Sequence, residues 1–222
     1  MEHPIQTIPR HAYPLPLREI PHPPQQLYLR GREPDWSRHL IAVVGARVHS
    51  PYGKRVCEHI VSGLTPYRVT IVSGLAIGLD TVAHEAALQA DIPTIAIPGS
   101  GLADTVLYPK RNRALTERML AAGGTLLSEL SPDTPATKSA FPARNRIIVG
   151  ISSAVVAVEC AERAGTQITA HLAVEYNREL GAVPHDIFSA TGAGTNSLIA
   201  RGAQVVRSGE DVAAMLGLTK EL

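Results

Sequence analysis

A chain of 222 residues, 45% of them hydrophobic and only 4% aromatic, can bury one sizeable core and reads as an α/β protein rather than a fibrous or disordered one. A formal net charge of +1 excludes a uniformly basic nucleic-acid binder of the histone kind. No apolar run nears the about eighteen residues of a membrane span and the N-terminus is rich in Pro and His, so the sequence predicts a cytoplasmic protein with no membrane partner.

Residues 1–36 are proline-dense and cannot hold a regular helix over any length, so they are expected as an extended arm ahead of a core at 37–222. Within the arm, 13–17 and 26–31 carry enough apolar surface to pack on the body, the second as a short edge strand. From residue 40 the pattern changes. Short, continuous apolar runs at 40–44, 69–72, 94–97, 125–127 and 154–158 mark strands covered on both faces.

Between them the spacing predicts helices at 52–64, 79–90, 111–122 and 166–180, with a further helix opening near Phe141. Segments 181–183 and 204–206 read as added strands, and 196–201 and 210–216 as short helices. The alternation implies right-handed βαβ units: an α/β, Rossmann-like, mostly parallel sheet flanked by helices on both faces. Cys57 and Cys160 stand apart, without CxxC or His/Cys spacing, and read as reduced packing residues rather than metal ligands.

In such a sheet ligands bind beyond the carboxyl ends of the strands. The loops expected there are Gly45-Ala46-Arg47 leading to Ser50-Pro51-Tyr52-Gly53, then Ser73 to Asp80, Pro98-Gly99-Ser100-Gly101, the long 129–141 connection and Thr191 to Asn196. Their glycines would let the backbone approach a phosphate closely. The segment Phe141 to Gly150 puts Arg144 and Arg146 near a helix start, with Pro142 suited to the first turn. The helix's unpaired N–H groups and positive dipole end would then act with both guanidinium groups on one phosphate. An isolated pair would instead be solvated or matched by carboxylates inside the fold. This pair stands with Lys138 and, farther off, with Lys110, Arg111 and Arg113.

Other chemistries are missing. There is no GxxxxGK[ST], no GxSxG, and no second histidine four residues after His84. Ser73, Asp80 and His84 could be assembled into a triad on paper. The i, i+4 spacing of Asp80 and His84 near a helix start suits a capping and hydrogen-bonding role instead.

The ordered series Tyr13-Pro14, Gln26-Leu27-Tyr28-Leu29-Arg30-Gly31, Val44-Gly45-Ala46-Arg47, Ser73-Gly74-Leu75-Ala76-Ile77-Gly78-Leu79-Asp80, Gly99-Ser100-Gly101 with Tyr108-Pro109, Ser128-Glu129, Phe141-Pro142-Ala143-Arg144-Asn145-Arg146 and Gly194-Thr195-Asn196-Ser197 resembles the DprA/Smf DNA-processing family over nearly the whole chain. The resemblance implies an extended Rossmann-like fold that binds single-stranded DNA and delivers it to a RecA-type recombinase, as in natural transformation. It also implies self-association as a homodimer, with neither catalytic activity nor a cofactor. By the same resemblance Arg47, Ser73, Gly74, Ala76, Gly78, Gly99, Gly101, Lys138, Phe141, Arg144, Asn145 and Arg146 surround the strand. Chemistry agrees with the resemblance, because cations neutralise phosphates, loop N–H groups hold them, and Phe141 offers a face for a base. Core packing is the other reading of Phe141.

Two departures stand out. Pro184-His185-Asp186 replaces the family's usual Pro-Gly, and Ala164-Gly165-Thr166 replaces Ser-Gly-Ser, losing a hydroxyl near a helix start. The resemblance covers the core, with no room near residue 222 for the winged-helix module of many relatives and too short an arm for their helical accessory domain. The same loops admit a reading from another class, a nucleotide-binding sensor or a phosphoribosyl-type hydrolase. Those enzymes resemble one another in a PGGxGTxxE loop that Pro98-Gly99-Ser100-Gly101-Leu102-Ala103 does not supply, so Glu129 or Asp80 would have to act.

Overall fold

The β-branched runs of the sequence form strands and the intervening segments coil into helices, in a computed structural model that describes residues 3–221. Met1, Glu2 and Leu222, at the outer ends of the expected arm and core, lie outside the described residues. In chain order the first half runs β1 (Ile5–Ile8), α1 (Leu15–Arg18), β2 (Leu27–Gly31), β3 (His39–Val44), α2 (Pro51–Gly63), β4 (Val69–Ser73), α3 (Leu79–Gln89) and β5 (Thr94–Ala96). The second half runs α4 (Arg113–Ala121), β6 (Thr125–Ser128), α5 (Ala140–Ile151), β7 (Ala154–Ala157), α6 (Gly165–Glu175), β8 (Glu179–Ala182), α7 (Ala193–Ala200), β9 (Gln204–Val205) and α8 (Gly209–Met215).

Among the described residues nine strands form one sheet, in the order β1-β2-β6-β5-β4-β3-β7-β8-β9. β3 to β9 are mutually parallel along this order, while β2 runs antiparallel to both β1 and β6. Alternation along β3 explains the continuous apolar runs. Ile41 and Val43 enter the core under α2, α3 and α8, whereas Leu40, Ala42 and Val44 enter the one under α1, α5 and α6. Strand order reverses at β3, with β4 to β6 on one side and β7 to β9 on the other, so a crevice opens beyond the ends of β3 and β7.

Three boundaries differ from those the sequence predicts. Segment 26–31 is not an edge strand: β2 pairs on both sides, and the Pro-free Ile5–Ile8 takes the edge. Tyr13, Leu17, Ile20, Leu27 and Leu29 of the arm pack on Ile147, Ile148 and Ile151 of α5. The helix expected over 166–180 stops at Glu175, because Asn177 turns with φ 54° and Glu179 must pair with Ala154 in the sheet. The helix expected from Arg111 begins at Arg113, after a 3-10 turn over Lys110–Asn112.

Candidate functional site

Beyond the carboxyl ends of β3 and β7 lies an open cleft of about 700 Å³. The β3–α2 loop lends it Gly45, Ala46, Arg47 and Val48; the segment into α5 lends Lys138, Phe141, Arg144 and Asn145; and the start of α6 forms the facing wall with Ala164, Gly165, Thr166 and Ile168. Arg47 and Lys138 are exposed on the rim. The guanidinium carbon of Arg47 stands 5.1 Å from the centroid of the Phe141 ring, a cation–π contact, and the exposed Tyr108 ring lies 5.7 Å from it on a tilt of 60°. Phe141 rests on Gly99, where a Cβ would sit 2.7 Å from the ring; the glycine is there to make room for the aromatic. Its ring is half-buried, which places it between the two readings the sequence left open.

The β4–α3 loop supplies the floor. The Asp80 carboxylate, in the first turn of α3, accepts hydrogen bonds from Gly74 N at 3.1 Å and Ala76 N at 3.3 Å. Arg144 reaches in from α5 and donates to the carbonyls of Gly74 and Ile97, while its Nε donates to Asn145 Oδ1 at 3.2 Å. Leu75 is held with φ 60°, a strained conformation for a bulky side chain, and Asn112 Nδ2 secures it by donating to Leu75 O and Thr81 Oγ1, both at 2.8 Å. Gly78 takes φ 94° and lies so close to the first loop that a Cβ would be 2.3 Å from Ala46 O.

Burial pushes the Asp80 carboxyl up from its ordinary value, with the Arg144 charge and the loop N–H groups pulling it back. Burial likewise brings Arg144 down to about 10 against the pull of Asp80. His84, fully buried, is held near 3 by desolvation and by Arg144, and its Nδ1 lies 2.8 Å from Thr94 Oγ1. Ser73 Oγ donates to Val43 O at 2.7 Å. Ser73, Asp80 and His84 are thus engaged in holding the loop and the sheet, the supporting role their spacing suggests.

The structure does not bring every expected residue to one place. Arg144 and Arg146 cannot share a phosphate, because residues two apart on a helix point about 200° apart. Arg146 turns away and pairs with Glu129, in a separate hollow beside Arg10 and His22. The carboxylate-matched alternative therefore describes Arg146, and the buried Arg144 also works inside the fold. Gly101 is no phosphate cradle either: its N–H donates to Thr134 O at 2.8 Å, and a Cβ would meet Pro132 O at 2.2 Å. Gly74 and Ala76 spend their N–H groups on Asp80.

A third anion position is also filled from within. At the start of α2, Ser50 Oγ accepts from Gly53 N at 3.0 Å, and Glu159, at the end of the β7 run, accepts from Ser50 N and from Ser50 Oγ at 2.9 Å. In a dinucleotide-binding fold a pyrophosphate sits at such a helix start. Glu159, Asn112 and Tyr108 are the residues that sequence reasoning left out of the site. The Tyr108-Pro109 pair was visible as a motif, while Glu159 and Asn112 act through contacts with residues 109 and 37 positions away and left no local signal. At the α6 start, Ala164 offers no side-chain cap.

Among the described residues no cluster of three or more His, Cys, Asp or Glu side chains could hold a metal, and no helix is long and apolar enough to cross a membrane. Both cysteines are buried and unpaired.

Known proteins share both sequence and architecture with this chain. The family model described as DNA recombination-mediator protein A matches residues 5–217. DNA processing protein DprA of Streptococcus pneumoniae is 40% identical over 203 residues, covering 91% of this chain and 71% of that protein. Its X-ray structure superposes with a TM-score of 0.88 at 38% identity, covering 99% of this chain and 75% of that one. Protein Smf of Escherichia coli is 40% identical over 200 residues, which is 90% of this chain and 53% of Smf, so the chain spans about half the length of that relative. The Helicobacter pylori DNA processing protein A, whose structure was described for its single-stranded DNA binding mode, superposes with a TM-score of 0.84 at 28% identity, covering 96% of this chain and 95% of that one.

Proposed function

The chain belongs to the DNA recombination-mediator protein A family, and on that premise we propose that its cleft binds single-stranded DNA. The observation that carries this reading is the exposed rim on which Arg47 lies over the Phe141 ring, with Lys138 beside them at the mouth of the cleft. A cation for the backbone and an aromatic face for a base are the two elements of sequence-tolerant single-strand binding. The Helicobacter pylori relative, described for that same binding, supports it.

On this reading Arg47 and Lys138 neutralise phosphates, Phe141 stacks on a base, and the Gly74 to Gly78 floor shapes the groove, with Asn145 at its wall. Arg144 adds positive potential from below while serving the fold. Ser73, Gly99 and Gly101 act by positioning these groups, and Arg146 stands apart. Nucleotide binding as a sensor or hydrolase is disfavoured because Asp80 and Glu159 already fill the backbone anion positions. On this reading the protein acts by binding, with Asp80 committed to two N–H groups and Glu129 paired with Arg146.

The proposal extends to the rest of the family role: a cytoplasmic homodimer that protects incoming DNA during natural transformation and loads a RecA-type recombinase. The test is fluorescence anisotropy of a labelled single-stranded oligonucleotide over a salt series with duplex competitor. Salt-sensitive binding that duplex fails to displace is expected; no binding at low salt overturns the reading.

A further inference from the structure

Two adjacent apolar side chains, Ile187 and Phe188, are 81% and 89% exposed at the tip of the loop joining β8 to α7. A lone exposed apolar residue is ordinary, but this pair tops a loop held at its base. Tyr52 Oη donates to Pro184 O at 2.9 Å, and Asn196 clamps His185 by accepting from its N–H at 2.9 Å and donating to its carbonyl at 3.0 Å. The His185 ring packs edge-on against Tyr52 at 4.8 Å with Nε2 3.0 Å from Val158 O. At the tip, Phe188 N donates to Asp186 Oδ1 at 2.8 Å and Ser189 N to Asp186 O at 3.0 Å. The turn that follows Pro184-His185 presents the two side chains outward.

The loop leaves the carboxyl end of β8, the same edge of the sheet as the cleft. Thr191, three residues beyond Phe188, is part of the cleft wall. Three residues span at most about 11 Å, so the Phe188 Cα stands within that reach of the Thr191 Cα on the wall. On this side Ile168 adds apolar surface beside Thr166, Thr169 and Thr191, and Val48, 83% exposed, lines the cleft from the β3–α2 loop.

We infer that Phe188, backed by Ile187, is a second stacking platform that takes a nucleobase of the strand as it leaves the cleft on the α6–α7 side. The inference rests on the single-stranded DNA reading above. A base suits the tip better than a protein partner does. One aromatic ring suffices to stack a base, whereas a specific protein interface needs about 1,000 Å² or more in total, and the tip offers two side chains. It would work with Phe141 as two separated aromatic contacts on one strand, with Arg47 and Lys138 holding phosphates between them.

The test compares Phe188→Ala and Phe188→Trp with the parent protein on two single-stranded oligonucleotides, one long enough only for the cleft and one about three times longer. Expected is a loss of about fivefold or more in affinity for the long oligonucleotide with Phe188→Ala, no change for the short one, and recovery with Phe188→Trp. Arg47→Ala, in contrast, is expected to weaken both. Equal affinities of Phe188→Ala and parent for the long strand overturn the inference, as does equal weakening on both strands. So does a change in oligomeric mass by light scattering at unchanged affinity, which would assign the tip to a contact between two copies of the chain. If the parent binds neither oligonucleotide, the DNA reading itself fails and takes this inference with it.

Discussion

Arg144 and Asp80 close on Gly74 together: the terminal nitrogens of the arginine and Oδ2 of the aspartate all lie within 2.6 Å of the place a Gly74 Cβ would occupy. The two charges are the buried strut between α5 and the β4–α3 loop. They make no direct ion pair; removing the Arg144 side chain leaves the Gly74 and Ile97 carbonyls without their donor and the Asp80 carboxylate without the nearby charge, at about 1–3 kcal/mol. Arg144→Ala is therefore expected to lower the urea midpoint sharply, and Arg144→Ala with Asp80→Asn to recover part of the loss. An Arg144→Ala protein as stable as the parent would show that the strut carries nothing.

Arg47 and Lys138 lie on the rim and are exposed, so their removal touches binding without touching the fold. Each alanine variant is expected to keep the parent's melting temperature. Each should also reduce the slope of log affinity against log salt by about 0.7, the contribution of one phosphate contact on a single strand. The salt series reads this directly, and unchanged slopes would remove both residues from the backbone path.

Gly53 sits inside α2, where alanine ordinarily gains about 1 kcal/mol over glycine. Here a Cβ would stand 1.8 Å from Glu159 Oε2, so Gly53→Ala is expected to destabilise instead. Glu159→Ala alone keeps the Ser50 cap on Gly53 N but leaves Ser50 N and Oγ without their acceptor, at about 1 kcal/mol. In the Glu159→Ala background the Gly53→Ala penalty should largely vanish, a coupling that a double-mutant cycle in urea measures. Additive losses would mean that the clash is relieved some other way.

His84 is held neutral in the folded protein, at about 3 against an ordinary value near 6.5. Its protonation therefore favours the unfolded chain. The stability it contributes is whole above about pH 6.5 and is lost as pH falls toward 3, by at most about 1.4 kcal/mol per pH unit. Urea midpoints across that window should fall less steeply for His84→Gln than for the parent. Parallel slopes would mean that the ring titrates normally.

The helix at Phe141 shows how far local pattern reaches. Pro142 in the first turn and the apolar Ile147, Ile148 and Ile151 set the helix and its buried face, and those are visible along the chain. Arginines two positions apart already belong on different faces of it. Which of them turns to the cleft depends on the carbonyls of Gly74 and Ile97, 70 and 47 residues away, and on Glu129 waiting for the other.

Periodicity and composition are local properties, so the chain carries in plain view its strand and helix alternation, its parallel sheet and the edge where its loops gather. The β8 boundary and the place of the first strands escaped that reading because pairing partners, not propensity, set them. The state of the loops lay further out of sight. Their glycines advertise N–H groups for an anion, yet Asp80 takes those of Gly74 and Ala76, and Glu159 takes Ser50 N, once the fold brings the carboxylates in, because a buried donor left unpaired costs about 1–3 kcal/mol. On the proposed reading, the groups left for a ligand are those folding does not bury at the mouth of the cleft: the cations of Arg47 and Lys138 and the aromatic faces beside them.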